Sequence, residues 1–162
     1  MKELSITNTY LEFDSIKDLS EADNDLLLKA IESSNKAYAP YSKFHVGAAI
    51  LLENGEIVTG NNQENAAYPS GLCAERVAAF HASSQFPDVK FLAIAITANS
   101  KEFNINAPIY PCGACRQVLA EYEYHFKKDI KIILMGEKGK VHIVNNVKTF
   151  LPLMFTPKDL KK

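Results

Sequence analysis

All three cysteines of this chain fall in two short pieces, Cys73-Ala74-Glu75 and Pro111-Cys112-Gly113-Ala114-Cys115. A Cys-x-x-Cys pair on its own also fits a redox pair or two core cysteines. With every thiol gathered into two pieces, each at an expected helix start, one shared metal ion is the stronger reading. Helix N-termini present unpaired backbone donors and the positive end of the dipole, and both stabilise thiolates. Cys112 and Cys115 are three residues apart, so their sulfurs converge on a first helical turn, and Cys73 completes the set from a second helix. Three protein ligands leave one tetrahedral position open, which is the arrangement of a catalytic zinc and not of a structural one. Iron is the alternative ion, although a thiolate-rich tetrahedral site favours zinc. The expectation is one Zn²⁺ per chain.

Glu75 lies two residues after Cys73, within reach of a water on the open position without being a ligand itself. A carboxylate there takes a proton from water and returns it to a substrate. Three thiolates leave the zinc shell net negative, which opposes water ionisation. Arg76 offsets this if its guanidinium bonds a ligand sulfur and withdraws charge, though a plain surface salt bridge is its other reading. The four histidines, His45, His81, His125 and His142, sit outside both pieces and read as ordinary surface or core residues.

Elements must position these groups. Ser20 reads as an N-cap, followed by acidic Glu21 and Asp23 and by Leu26, Leu27, Ala30 and Ile31 at helical spacing, so a helix is expected over Glu21 to Ala37. Phe44 to Leu52 and Glu56 to Gly60 read as a hairpin about Asn54-Gly55. An Ala-rich helix over Cys73 to Ser83 is expected to bury Val77 and Phe80. Phe91 to Ala98 reads as a central strand buried on both faces. Pro111 opens a helix to about Tyr124, and strands Lys131 to Met135 and Val141 to Val144 follow. Leu4, Ile6 and the Tyr10-Leu11-Phe13 group are candidates for an added edge strand. This alternation implies an α/β fold, a three-layer α/β/α sandwich with a central mixed sheet. Residues 1–19 form an N-terminal extension to a single domain, 20–162.

Composition narrows the partners. There are 18 Lys plus Arg against 19 Asp plus Glu, and the only short basic cluster is Lys161-Lys162. That is a poor footprint for a phosphate backbone, so small molecules are expected and nucleic acid is not. No stretch reaches the roughly 18 to 20 apolar residues of a membrane span. The start of the chain lacks the apolar core of a signal peptide, and three reduced thiols suit the cytoplasm.

The pattern Cys-x-Glu followed by Pro-Cys-x-x-Cys is the three-cysteine form of the zinc deaminase signature. With the runs Phe44-His45-Val46-Gly47-Ala48-Ala49, Asn62-Gln63-Glu64-Asn65-Ala66-Ala67-Tyr68 and Cys112-Gly113-Ala114-Cys115-Arg116-Gln117, the chain resembles the small, homotetrameric cytidine deaminases from about Ala37 to Phe155. The resemblance implies hydrolytic deamination of cytidine and deoxycytidine to uridine and deoxyuridine, with release of ammonia, in pyrimidine salvage. It assigns Asn62 and Glu64 to the ribose 3′-hydroxyl, Phe44 to packing on the pyrimidine, the Ala74 backbone to the base edge, and Phe155 to a neighbouring subunit's site. Water would attack C4 of the cytosine ring while Glu75 protonates N3 and later the departing amine. The Asn62 and Glu64 pair would share one face if the strand before them continued that far.

Two departures from the family pattern are Gln63, where an apolar residue is common, and the N-terminal extension, which could alter assembly. Rival readings are a deaminase of the same fold acting on another aminated ring, such as blasticidin S, guanine or a nucleotide, a nucleic-acid editor, and a zinc or redox module without turnover.

Overall fold

The computed structural model of the chain describes residues 1–160; residues 161 and 162, the end of the expected domain, lie outside the described residues. Six strands form one sheet: β1 (Leu11–Phe13), β2 (His45–Leu52), β3 (Ile57–Asn61), β4 (Phe91–Asn99), β5 (Lys131–Met135) and β6 (Val141–Val144). Their order is β1-β6-β5-β4-β2-β3, with β4 and β5 parallel and every other neighbour antiparallel. The sheet is therefore mixed, as expected.

Helix α1 (Glu21–Ser34) covers one face, and α2 (Ala74–Gln85) and α3 (Gly113–Phe126) cover the other. Strand side chains alternate between faces. Ala49, Ala95 and Ile133 meet Leu26, Leu27 and Ala30 of α1, while Ala48, Ile50 and Ile96 share a core with Ala78, Ala82 and Leu119. This is the three-layer sandwich. Among the described residues, no helix is long and apolar enough to cross a membrane.

Four local expectations are corrected. Helix α1 begins after Ser20, whose hydroxyl accepts from Asp23 N, but it ends at Ser34 instead of Ala37. Tyr38 is drawn out of the helix because its backbone pairs with Asn62 O and Glu64 N. Phe80 is 45% exposed, and Val77 is only partly buried. The buried face of α2 consists of Glu75 and the four alanines Ala74, Ala78, Ala79 and Ala82, and the alanines let the helix lie close to β3. A Cβ at Gly60 would stand 2.4 Å from Ala78 N and 2.7 Å from Ala74 O. Helix α3 starts at Gly113, since Cys112 is extended and serves as its N-cap. At the N-terminus, Leu4 and Ile6 are exposed and only Leu11–Phe13 joins the sheet, on the free edge of β6.

Candidate active site

Helices α2 and α3 bring their N-termini together on one side of the sheet. Cys73 is the N-cap of α2 and Cys112 that of α3, positions more often held by Ser, Thr, Asp or Asn. Neither sulfur is used in capping, so both are free for another partner. Cys115 lies one turn into α3 and is fully buried. Cys73 Sγ is 3.8 Å from Cys112 Sγ, and Cys112 Sγ is 3.4 Å from Cys115 Sγ. All three sulfurs lie within 4.8 Å of one another, as ligands of one ion must.

The donor set fits zinc. Sulfur ligands are soft, three of them leave a fourth position, and two of them sit at helix starts, whose positive dipole ends stabilise thiolates. The thiols are already unequal. A hydrogen bond from Cys115, aided against burial by one from Arg76, lowers the Cys73 thiol to about 5. Cys115, giving that hydrogen bond and buried as well, is pushed far up. Cys73 is thus the thiol most inclined to ionise, and a bound cation would favour ionisation of the others beside it.

Glu75 follows in the first turn of α2, 5% exposed, and reaches the cavity above the thiols. Burial, with the Cys73 charge adding to it, pushes its carboxyl up to about 7. That is a group poised to carry a proton in either direction at neutral pH. Arg76 directs Nη2 to Cys73 Sγ at 3.8 Å, while its Nε is buried without a partner.

The cavity has a volume of about 970 Å³, and Phe44, Asn62, Glu64, Glu75, Cys73 and Cys112 are among its lining residues. Strand β3 stops at Asn61, so Asn62 and Glu64 do not share a strand face as the alternation suggested. Each is held by its own bonds. The Asn62 side chain accepts from Val46 N at 2.7 Å and donates to Phe44 O at 2.9 Å, bracing the start of β2. One N–H and one lone pair of this amide remain for a ligand. The Glu64 carboxylate accepts from Tyr41 N, Ser42 N and the Ser42 hydroxyl. Burial opposes its ionisation, but these bonds outweigh it and hold the carboxyl below its ordinary range. Phe44 stacks against Phe103, with centroids 6.3 Å apart and planes 8° from parallel. Ala74 is fully buried and does not line the cavity. What it can offer is the unpaired N–H of a first helical turn. Phe155 is 58% exposed and lies outside the cavity of its own chain; its carbonyl accepts from Gln117 Nε2.

Sequence reasoning passed over Phe103, Tyr110 and Arg116. Arg116 ties Pro111 O to Phe150 O and lies over the Phe150 ring, fastening the segment that carries Cys112. Tyr110, directly before Pro111, lines the cavity. Its adjacency to Pro111-Cys112 was the available signal.

Three thiols converging at two helix starts, with a buried carboxylate beside them on a mixed α/β/α sandwich, define a zinc-dependent hydrolase. Residues 20–128 match the family model of the cytidine and deoxycytidylate deaminase zinc-binding region. The chain is 42% identical over 140 residues to a cytidine deaminase of Halalkalibacterium halodurans, which covers 85% of this chain and 98% of the relative. It is 40% identical over 135 residues to one of Sporosarcina psychrophila, 83% of this chain and 92% of that relative. The crystal structure of cytidine deaminase from Burkholderia pseudomallei superposes with a TM-score of 0.71 at 36% identity, covering 85% of this chain and all of the other. The chain belongs to the cytidine and deoxycytidylate deaminase family.

Proposed function

We propose that the protein hydrolyses cytidine to uridine and ammonia, and deoxycytidine likewise to deoxyuridine. The observation that carries this reading is Glu75, a buried carboxylate on the same helical turn as a ligand thiol, at the floor of a cavity walled by Phe44 and Glu64. A zinc ion on Cys73, Cys112 and Cys115 supplies acidity when bound, making hydroxide available near neutral pH.

The chain's own residues do the rest. Glu75 takes the proton of the attacking water, delivers it to N3 as C4 is attacked, and moves a proton to the leaving amine. Letting one carboxylate serve both sides keeps full charge from building on the ring. Phe44 packs on the pyrimidine, and the Ala74 N–H meets the base edge. Glu64 accepts the ribose 3′-hydroxyl, with the spare valences of Asn62 beside it. Arg76 draws charge from Cys73.

Glu64 also disfavours a phosphorylated sugar, because among the described residues Arg76 is the only Lys or Arg lining the cavity and it is engaged with Cys73. We place the enzyme in the cytoplasm, where a thiolate site stays reduced. We further propose a homotetramer, with Phe155 projecting from one subunit towards the site of the next.

An ammonia-release assay on cytidine, deoxycytidine, 3′-deoxycytidine, cytosine and cytidine 5′-monophosphate tests this. Cytidine and deoxycytidine should react, and the other three poorly. A hydrogen-bonding site rejects the analogue that lacks its hydroxyl, and lost sugar contacts lower turnover as well as affinity. Equal kcat/KM for cytidine, 3′-deoxycytidine and cytosine would move the assignment to a free-base deaminase.

A further inference from the structure

The short strand β1 lies before residue 20, where the family match begins. It does more than close a sheet edge. Glu12 stands directly opposite His142 in the antiparallel register of β1 and β6. His142 is buried, and its Nε2 lies 2.9 Å from Glu12 Oε2. The other carboxylate oxygen of Glu12 takes Lys140 Nζ, which fixes the carboxylate in place. On the far side of the imidazole, Nδ1 lies 2.7 Å from the hydroxyl of Tyr110. A carboxylate only accepts, so Nε2 carries a proton towards Glu12, and in the Nε2–H tautomer Nδ1 accepts from the Tyr110 hydroxyl. Tyr10 of the extension covers the same imidazole, its ring centroid 4.8 Å away.

Tyr110 is where this chain of bonds enters the site. It lines the cavity with Ile109 and Cys112 and sits directly before the Pro111-Cys112 turn. Its hydroxyl is committed to His142, and its ring meets Phe150 edge-on at 5.9 Å. Arg116 grips the same segment from within α3 through Pro111 O and Phe150 O. The loop carrying a metal ligand is thus held from two sides, and the outer hold originates in the extension.

We propose that Glu12 and His142 are positioning residues that hold Tyr110 as a fixed wall of the nucleoside pocket, making the N-terminal strand part of the substrate-binding apparatus. This rests on the deaminase reading for the identity of the ligand, but not for the relay itself. None of the three touches the reacting atoms, so they act on substrate placement and not on the chemical step.

The experiment compares wild type, Glu12→Ala, Glu12→Gln, Tyr110→Phe and the Glu12→Ala/Tyr110→Phe double variant. For cytidine, Glu12→Ala and Tyr110→Phe should each raise KM roughly three- to tenfold, the range of one lost hydrogen bond, with kcat and zinc content retained. The double variant should be no worse than either single one, because both cut the same chain. Glu12→Gln keeps an acceptor oxygen and should recover most of the loss. A readout independent of turnover is the ¹⁵N spectrum of labelled histidine. His142 should be locked as the Nε2–H tautomer in wild type and Glu12→Gln, and released in Glu12→Ala.

Additive effects in the double variant, unchanged KM in Tyr110→Phe, or a His142 signal indifferent to Glu12 would each overturn the proposal. Should wild type fail to deaminate cytidine, the functional reading falls. The histidine spectra of Glu12→Ala and Tyr110→Phe still decide the relay.

Discussion

Arg76 and Cys73 form a contact within one helical turn, Nη2 to Sγ at 3.8 Å, that joins a cation to a metal ligand at the start of α2. Three thiolates around one divalent ion carry excess negative charge, and a guanidinium on one sulfur withdraws part of it. The same guanidinium helps to lower the Cys73 thiol, after the bond from Cys115 and against burial. Arg76→Ala should therefore retain the fold while lowering metal affinity or kcat about 10- to 100-fold, the usual effect of removing a group that supports a ligand. Zinc titration and steady-state kinetics on the same preparation check this. Unchanged affinity and unchanged kcat would reduce Arg76 to a packing residue.

Glu75→Gln separates proton transfer from metal binding. The amide is close in size and sits in a buried position, but it cannot carry a proton between water and substrate. Zinc content should stay at one per chain while kcat drops by about 10² to 10⁴. Loss of zinc in this variant would instead make Glu75 a ligand.

Metal removal should be read in stability as well as activity. Cys73 at the start of α2 and Cys112 and Cys115 at the start of α3 hold their sulfurs within 4.8 Å of one another, so a shared ion would cross-link the two helices. Binding energy at such a site is also folding energy. Chelation should abolish activity and lower Tm, with both restored by added Zn²⁺. Cys112→Ala should start at the lower Tm and show no response to either treatment.

The Glu64 carboxyl is held below its ordinary value of 4.5: burial opposes this, but the bonds from Ser42 and Tyr41 win. A carboxyl depressed in the folded state contributes stability that is complete above the unfolded value and is lost as pH falls through the folded one. The Tm difference between wild type and Glu64→Gln should accordingly be constant above pH 4.5 and shrink below it. A difference that grows on acidification would show that these bonds do not favour the charged form.

Gly60→Ala tests how α2 is seated. The added Cβ would meet backbone atoms of Ala74 and Ala78 at 2.7 and 2.4 Å, and backbone cannot rotate away. The helix must shift, and with it Cys73, Glu75 and Arg76. Overpacking of this kind costs about 1–3 kcal/mol, and zinc affinity should fall alongside Tm in thermal melts with and without metal. Wild-type affinity at reduced Tm would mean that the site is insulated from the β3–α2 contact.

Local chemistry was legible without coordinates. Thiols at two helix starts announce a metal by their type and spacing. The Ser20 cap and the hairpin turn at Asn54-Gly55, with Gly55 at a φ of +87°, stand where their side-chain chemistry demands. Strands Lys131–Met135 and Val141–Val144 were read at their observed bounds because turn residues enclose short apolar runs. The outward turn of Phe80 was not legible, because Gly60 on a different element decides how closely α2 approaches. Nor was the role of Asn62, whose amide is claimed by the backbone of Phe44 and Val46, 18 and 16 residues away. Glu12 and His142 are 130 residues apart and meet only through the register of two edge strands. Residue type and short spacing determine which groups can bind a metal or move a proton. Which of them meet, and what holds them there, was decided by strand order and helix seating, because those contacts join residues that the chain itself leaves far apart.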